Sequence, residues 1–322
     1  MNFLRNFAAT VLPDAAMHLA KSTKLHFQGR AILPGYTDRI RQAFPDLSFR
    51  DARIILSGFA NVVVILDEAW VFRFPRNEHR RAAFARELNL LAQLRPNAPI
   101  DLPDYSHVAP GAEFGGYPMI RGESLNTALF ESLDRPAQER ALIGFAQFLG
   151  ALHALPASLV SDGDSPRQAE NSFAASEWYF SEKREFLVKK IDRDLVRSMD
   201  RFYLAFSQAQ PFEERLINSD IGEDHLLYDH DRLGMIDFGD ATIGDPALDF
   251  ALLCTYPDWA APFALRHYAL KAQDPGLLTR AKWHAIRQLG DRLWFHFMRK
   301  GHHHPLEETV ASLKTQLALL GI

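Results

Sequence analysis

One stretch constrains the fold of this chain more than any other: Leu216–Asp240, reading LINSDIGEDHLLYDHDRLGMIDFGD. It carries two acids 17 residues apart, Asp220 and Asp237, each placed where an apolar run meets a turn. Leu216-Ile217 leads into Asn218-Ser219-Asp220, and His225 follows five residues after Asp220. Leu226-Leu227-Tyr228 predicts a short strand, Asp229 to Arg232 a polar turn, and Leu233 to Ile236 a returning strand that ends at Asp237-Phe238-Gly239. A hairpin with an acid at each mouth suits metal and phosphate chemistry. One carboxylate can take a proton from a hydroxyl while the other holds a divalent cation on a polyphosphate. An ordinary acid-rich hairpin would explain either acid alone, but not the combined spacing.

Upstream, the pattern is β-rich. Arg53–Leu56, Val62–Leu66 and Trp70–Phe74 predict strands, with Ser57-Gly58-Phe59-Ala60-Asn61 as the first connecting loop. Period two sets Arg73 on one face with Val71, and Phe72 and Phe74 on the other. Asn77 is a candidate N-cap for a helix over Glu78–Leu94, whose apolar stripe is Phe84, Leu88 and Leu91. Glu87 lies inside that stripe. A carboxylate there needs a partner, because burying it unpaired is costly, and Arg73 is the natural candidate. Tyr105–Val108 and Tyr117–Ile120 predict further strands. The rest is helical: from an Asp134 cap to Ala154, then near 172–190, 191–208, 247–253, 260–270, 275–300 and 306–320. Before the strands, a short helix is expected over Thr37–Ala43, and residues 156–170 are expected to form a polar loop.

These motifs resemble the catalytic core of protein-kinase-like phosphotransferases, whose template runs H-x-D-x-x-x-x-N, a short hairpin, then D-F-G. The closer resemblance is to the aminoglycoside and macrolide phosphotransferase family, which often continues D-F-G-D, G-D-P and a further Asp. This chain has Asp237-Phe238-Gly239-Asp240, Gly244-Asp245-Pro246 and Asp249. It departs at three places: Asn218 replaces the usual His, His225 the usual Asn, and Arg73 the usual Lys.

The resemblance implies an α+β, protein-kinase-like two-lobe fold. Residues 1–29 would be an N-terminal extension, 30–119 a nucleotide-binding β-rich lobe, and 120–322 a helical lobe with the catalytic loop and substrate site. It further implies transfer of the γ-phosphate of ATP or GTP, with Mg²⁺, to a hydroxyl of a small molecule, most simply an aminoglycoside- or macrolide-type antibiotic. Asp220 would be catalytic, and His225 and Asp237 would hold metal. Arg73 set by Glu87, the loop residues Ser57, Gly58 and Asn61, and the backbone near Met119 and Arg121 would bind nucleotide. Asp245 and Asp249 would hold the catalytic loop by its backbone. A small-metabolite kinase of the same fold and a nucleotide-binding pseudokinase are the alternatives.

Composition bounds the rest. With 322 residues, 47% hydrophobic, the chain can bury a substantial core. A net charge of −4 argues against nucleic-acid binding. No run of about 18 apolar residues predicts a membrane span, and the single Cys254 fits a reducing compartment, so a cytoplasmic location is expected. His153 is read as a core histidine, His302–His304 as a solvated loop, and the face carrying Glu177, Trp178, Glu182 and Glu185 as a solvated helix surface. Oligomeric state is not legible.

Overall fold

The computed structural model describes residues 14–58, 60–160, 172–208, 212–298 and 305–322. They divide into two compact units: the described parts of Met1–Leu88 with Pro103–Met119, and of Asn89–Leu102 with Ile120–Ile322. Phe59, the His302–His304 run and all but the start of the polar loop at 156–170 lie outside the described residues.

The first unit opens with helix α1, Asp14–Ala43. The sequence predicts a helix here only over Thr37–Ala43, whereas the helix runs on through Gly29, Pro34 and Gly35, residues that disfavour a helix interior. Tertiary packing overrides them: Ile40 is fully buried in the core, and Gly29 abuts Ile54 so closely that a Cβ would meet its side chain at 2.8 Å. The boundary expected at residue 29 therefore falls inside a continuous helix. Strands β1 (Ala52–Ile55), β2 (Asn61–Leu66) and β3 (Trp70–Pro75) follow as an antiparallel meander. Asn77 caps helix α2 (Glu78–Leu94) as expected, accepting from the Arg80 amide at 3.0 Å. Strands β4 (His107–Val108), shorter than predicted, and β5 (Gly115–Pro118), shifted two residues N-terminal of the predicted span, complete the five-stranded order β1-β2-β3-β5-β4. Phe72 lies opposite Gly116, where any Cβ would come within 2.4 Å of the ring. Phe72 and Phe74 pack into the core with Phe114, and the Phe74 and Phe114 rings stack at 4.4 Å.

In the second unit, Glu123-Ser124 is a short strand, β6, which pairs with Tyr228 and Leu227. Helix α3 (Thr127–Ser132) then precedes α4 (Arg135–His153). The Asp134 carboxylate caps α4 by accepting the Ala137 amide at 2.8 Å, and Leu142, Phe145, Leu149 and Leu152 are buried along it. Helix α5 (Ser172–Trp178) passes through a π-helical turn, Tyr179–Lys183, into α6 (Arg184–Leu187), and α7 covers Arg193–Ser207. Strands β7 (Arg215–Ile217), β8 (Leu226–Asp229), β9 (Arg232–Met235) and β10 (Thr242–Gly244) form two small antiparallel sheets: β10-β7, and β6-β8-β9. Met235 and Leu233 exchange backbone hydrogen bonds with Asp101, bracing β9. The segment expected as a helix from Ala247 is a 3-10 helix, Pro246–Thr255, buried along most of its length. Helices α8 (Ala260–Leu265), α9 (Leu277–Met298) and α10 (Leu306–Leu319) close the chain. No helix among the described residues is long and apolar enough to cross a membrane. Cys254 is half-buried, and burial pushes its thiol up to about 12, which leaves it unreactive.

Candidate active site

Two turns carry the two acids. The first follows β7: the chain leaves the sheet at Ile217 and turns through Asn218 and Ser219 to the exposed Asp220. Ser219 has φ of 67°, in the left-handed region. The second turn follows β9, where Asp237 also takes φ of 67° and accepts the Gly239 amide on Oδ1 at 3.3 Å. Asn218 joins the two turns. Its Nδ2 donates to the Asp237 carbonyl at 2.8 Å, and its Oδ1 accepts the Asp220 amide at 3.1 Å. The second bond closes an Asx turn, a local signal that Asn directly after a strand makes legible. The sequence reading registered Asn218 only as a departure from pattern. It missed Ser219, whose hydroxyl donates to the Asp240 carbonyl at 2.8 Å.

His225 stands at the head of β8 in a single 3-10 turn, Glu223–His225. Its Nδ1 lies 2.6 Å from the Asp220 carbonyl oxygen, so that nitrogen carries the proton and donates. In this tautomer Nε2 keeps a lone pair, the arrangement by which a histidine ligand is oriented through its other ring nitrogen. The His225 carbonyl accepts the Ile236 amide at 2.9 Å, which ties the residue to the strand end just before Asp237. Among the described residues no group of three or more His, Cys, Asp or Glu forms a full metal cage. A carboxylate and an imidazole as the only protein ligands would suit a cation whose remaining ligands come from phosphates and water, the usual situation for Mg²⁺ on a nucleotide.

Beneath the Asp220 turn lies Asp249, fully buried. Its carboxylate accepts the amides of Asn218 at 2.7 Å and Ser219 at 2.9 Å. His153 Nε2 sits 3.2 Å from the same carboxylate, and its Nδ1 is 2.8 Å from the Tyr268 hydroxyl. The expectation for Asp249 and the core reading of His153 both hold. Asp245 departs from expectation. It accepts the Ala247 amide, and its two oxygens take Arg280 Nε and Nη2 at 2.8 and 3.1 Å, with His284 Nε2 at 3.1 Å. Its role is to anchor the 3-10 helix to α9, not to hold the Asp220 loop. Burial alone would raise this carboxyl; hydrogen bonds from His284 and Arg280 outweigh it and hold the group at about 2.

In the first unit, Arg73 and Glu87 form an ion pair at 2.6 Å, 4% and 2% exposed. Tyr105 OH lies 3.3 Å from the guanidinium and 3.2 Å from Glu87. Asn61, with its amide oxygen turned towards Arg73, accepts from Nη2 at 2.8 Å and Nε at 3.3 Å. Asn61 is therefore first a partner of Arg73, and its buried side chain is not displayed by the loop as expected. Ser57 and Gly58 are exposed, and the loop that bears them is braced by Arg76, which donates to the carbonyls of Leu56 at 2.7 Å and Gly58 at 3.0 Å. Neither Arg76 nor Tyr105 was singled out from the sequence. The Met119 amide donates to the Ala69 carbonyl at 2.7 Å, so that N–H is spent within the unit and cannot meet a purine edge. Arg121 is exposed. Of the acidic face at 172–187, Trp178 donates to Glu182 at 3.0 Å and covers the Lys183 ammonium at 3.3 Å from its ring centroid, while Glu177, Glu182 and Glu185 are exposed.

A family model described as the phosphotransferase enzyme family matches residues 51–288. Among solved structures, the GDP and kanamycin complex of APH(2")-IIia is 22% identical, covering 88% of this chain and 99% of that one, with a TM-score of 0.72. ADP-bound aminoglycoside phosphotransferase APH(2'')-Ib is 19% identical over 86% and 96%, with a TM-score of 0.61. Macrolide 2'-phosphotransferase MphH from Brachybacterium faecium is 19% identical over 86% and 98%, with a TM-score of 0.60. These likenesses establish the α+β, protein-kinase-like fold class.

Proposed function

The chain belongs to the phosphotransferase enzyme family, and from that premise we propose that it moves the γ-phosphate of ATP or GTP to a hydroxyl of an aminoglycoside- or macrolide-type antibiotic. Membership makes it an enzyme that phosphorylates an alcohol group of a small molecule; the nucleotide and the antibiotic class are the proposal. The observation that carries it is the pair of acids on adjacent turns, joined through the Asn218 amide. Three of the structural relatives support the antibiotic class, being complexes with kanamycin, gentamicin or streptomycin.

In this reading Asp220, exposed at the end of its turn, orients the acceptor hydroxyl and takes its proton. Asp237 and the Nε2 of His225 hold the cation. Bound Mg²⁺ supplies neutralisation of charge across the phosphate oxygens. Arg73 presents a guanidinium fixed by Glu87, Asn61 and Tyr105 to phosphate oxygens, with little freedom left to lose. The exposed Ser57-Gly58 loop and the backbone at Arg121 supply the remaining nucleotide contacts. Such catalysis is mainly positioning and charge stabilisation, so a site with few reacting groups suffices. In this reading Asn218, in place of the usual His, links the two turns through its amide.

The test is a phosphorylation screen of aminoglycosides, macrolides and small alcohols with ATP and with GTP. An antibiotic is expected to be phosphorylated in preference to simple alcohols; transfer confined to small alcohols would overturn the antibiotic assignment. In parallel, Asp237→Ala is expected to abolish Mg²⁺-dependent stabilisation by nucleotide while the protein stays folded. Full retention of that stabilisation would remove Asp237 from the metal site.

A further inference from the structure

We propose that Asn218 and Ser219 are positioning residues that grip the turn Asp237–Asp240 at both ends, and so set the carboxylate of Asp237 relative to Asp220. This rests on the reading of those two acids given above. Two consecutive side chains donate to the carbonyls of residues 237 and 240, each at 2.8 Å. The backbone amides of Asn218 and Ser219 are held by Asp249. Asn218 Oδ1 accepts the Asp220 amide as well. Five hydrogen bonds thus converge on one dipeptide that is 1% and 4% exposed. In such low-dielectric surroundings the bonds are strong and their geometry is rigid.

The backbone adds a separate argument. Ser219 sits at φ of 67°, where glycine is the unstrained choice and any Cβ carries a penalty. A serine in that conformation persists when its side chain does something glycine cannot, and here its hydroxyl closes the far end of the acid-bearing turn. Asp237 is itself at φ of 67°, so its side-chain direction depends on how its own backbone is held. The Asn218 amide holds it at the carbonyl. Through Asn218 a shift in either turn is passed to the other.

The experiment compares Ser219→Gly, Asn218→Asp and Asp237→Ala with the native chain. Thermal shift is read at a fixed concentration of ATP or GTP across a MgCl₂ titration, alongside kcat and KM for slow nucleotide hydrolysis. Ser219→Gly removes the hydroxyl but relieves the left-handed strain, so its metal-free stability should be unchanged or raised. Asn218→Asp keeps an acceptor for the Asp220 amide and loses the donor to the Asp237 carbonyl. Both are expected to raise the half-saturating Mg²⁺ concentration about 10-fold, as loss of a ligand's supporting hydrogen bonds does, and to lower kcat more than they raise nucleotide KM. If both variants keep the native half-saturation while Asp237→Ala loses the Mg²⁺ response, the grip has no positioning role although the metal assignment stands. If Asp237→Ala keeps the response, or the native chain shows none, the underlying assignment fails and this inference falls with it.

Discussion

At the scale of the residue, the departures from the kinase template are each matched by partners. Arg73 is the clearest case. A lysine ammonium is a point charge, whereas the guanidinium here meets Glu87, Asn61 and Tyr105 in different directions at once. Arg73→Ala and Glu87→Ala should each lower kcat/KM, and the double variant should be little worse than either single, because groups acting as a unit are not additive. Additive losses in the cycle would show that the two act apart. His225 makes a second case. With Nδ1 given to the Asp220 carbonyl, Nε2 is the atom proposed to hold metal. Imidazole favours later transition metals over Mg²⁺. His225→Asn is therefore expected to keep activity with Mg²⁺ but lower the Mn²⁺-to-Mg²⁺ rate ratio, and His225→Leu to lose activity with both. Initial rates across titrations of each metal decide it: an active Leu variant sinks the ligand role, and an unchanged ratio in the Asn variant sinks the argument from softness.

At the scale of the element, the catalytic turns are only as well placed as the segments behind them. The 3-10 helix Pro246–Thr255 lies directly behind the Asp220 turn, contributing Asp249 to its amides, and is anchored at its start by Asp245. That anchor is an ion network with Arg280 and His284 of α9, fully buried at Asp245. Its pH dependence has a definite sign. The Asp245 carboxyl is depressed from about 3.8 to about 2 on folding, so its contribution is complete above pH 4 and is lost as pH falls towards 2. A shift of that size amounts to about 2 kcal/mol at neutral pH. Asp245→Asn should cost about that much, since it leaves the buried Arg280 with only Asp274 of its two carboxylate partners. The gap between native and variant stability should close between pH 4 and pH 2. Denaturant titrations of both proteins over that range check it, and a gap that does not narrow would mean Asp245 titrates elsewhere.

At the scale of the whole molecule, each compact unit was legible in part. Strands β1 to β3, helix α2 with its Asn77 cap, helix α4 with its Asp134 cap, and the β8–β9 hairpin all appear where period and turn chemistry placed them. These signals are local: an alternation or a capping side chain acts over two to four residues, so the sequence alone carries it. The positions of Asp220, His225 and Asp237 were legible for the same reason, since short spacings along two strands and their turns set them. What tertiary structure decided was which groups these residues meet. Nothing local links Asn218 and Ser219 to Asp249, Arg73 to Tyr105, or Asp245 to Arg280 and His284; the partners are 30 or more residues away. Likewise, the persistence of α1 through Pro34 and the strand state of Glu123-Ser124 depend on packing and pairing supplied by distant chain. A buried charge or a strained backbone needs compensation, but its sequence does not say from where, because many side chains could supply it and only the folded chain brings one within 3 Å.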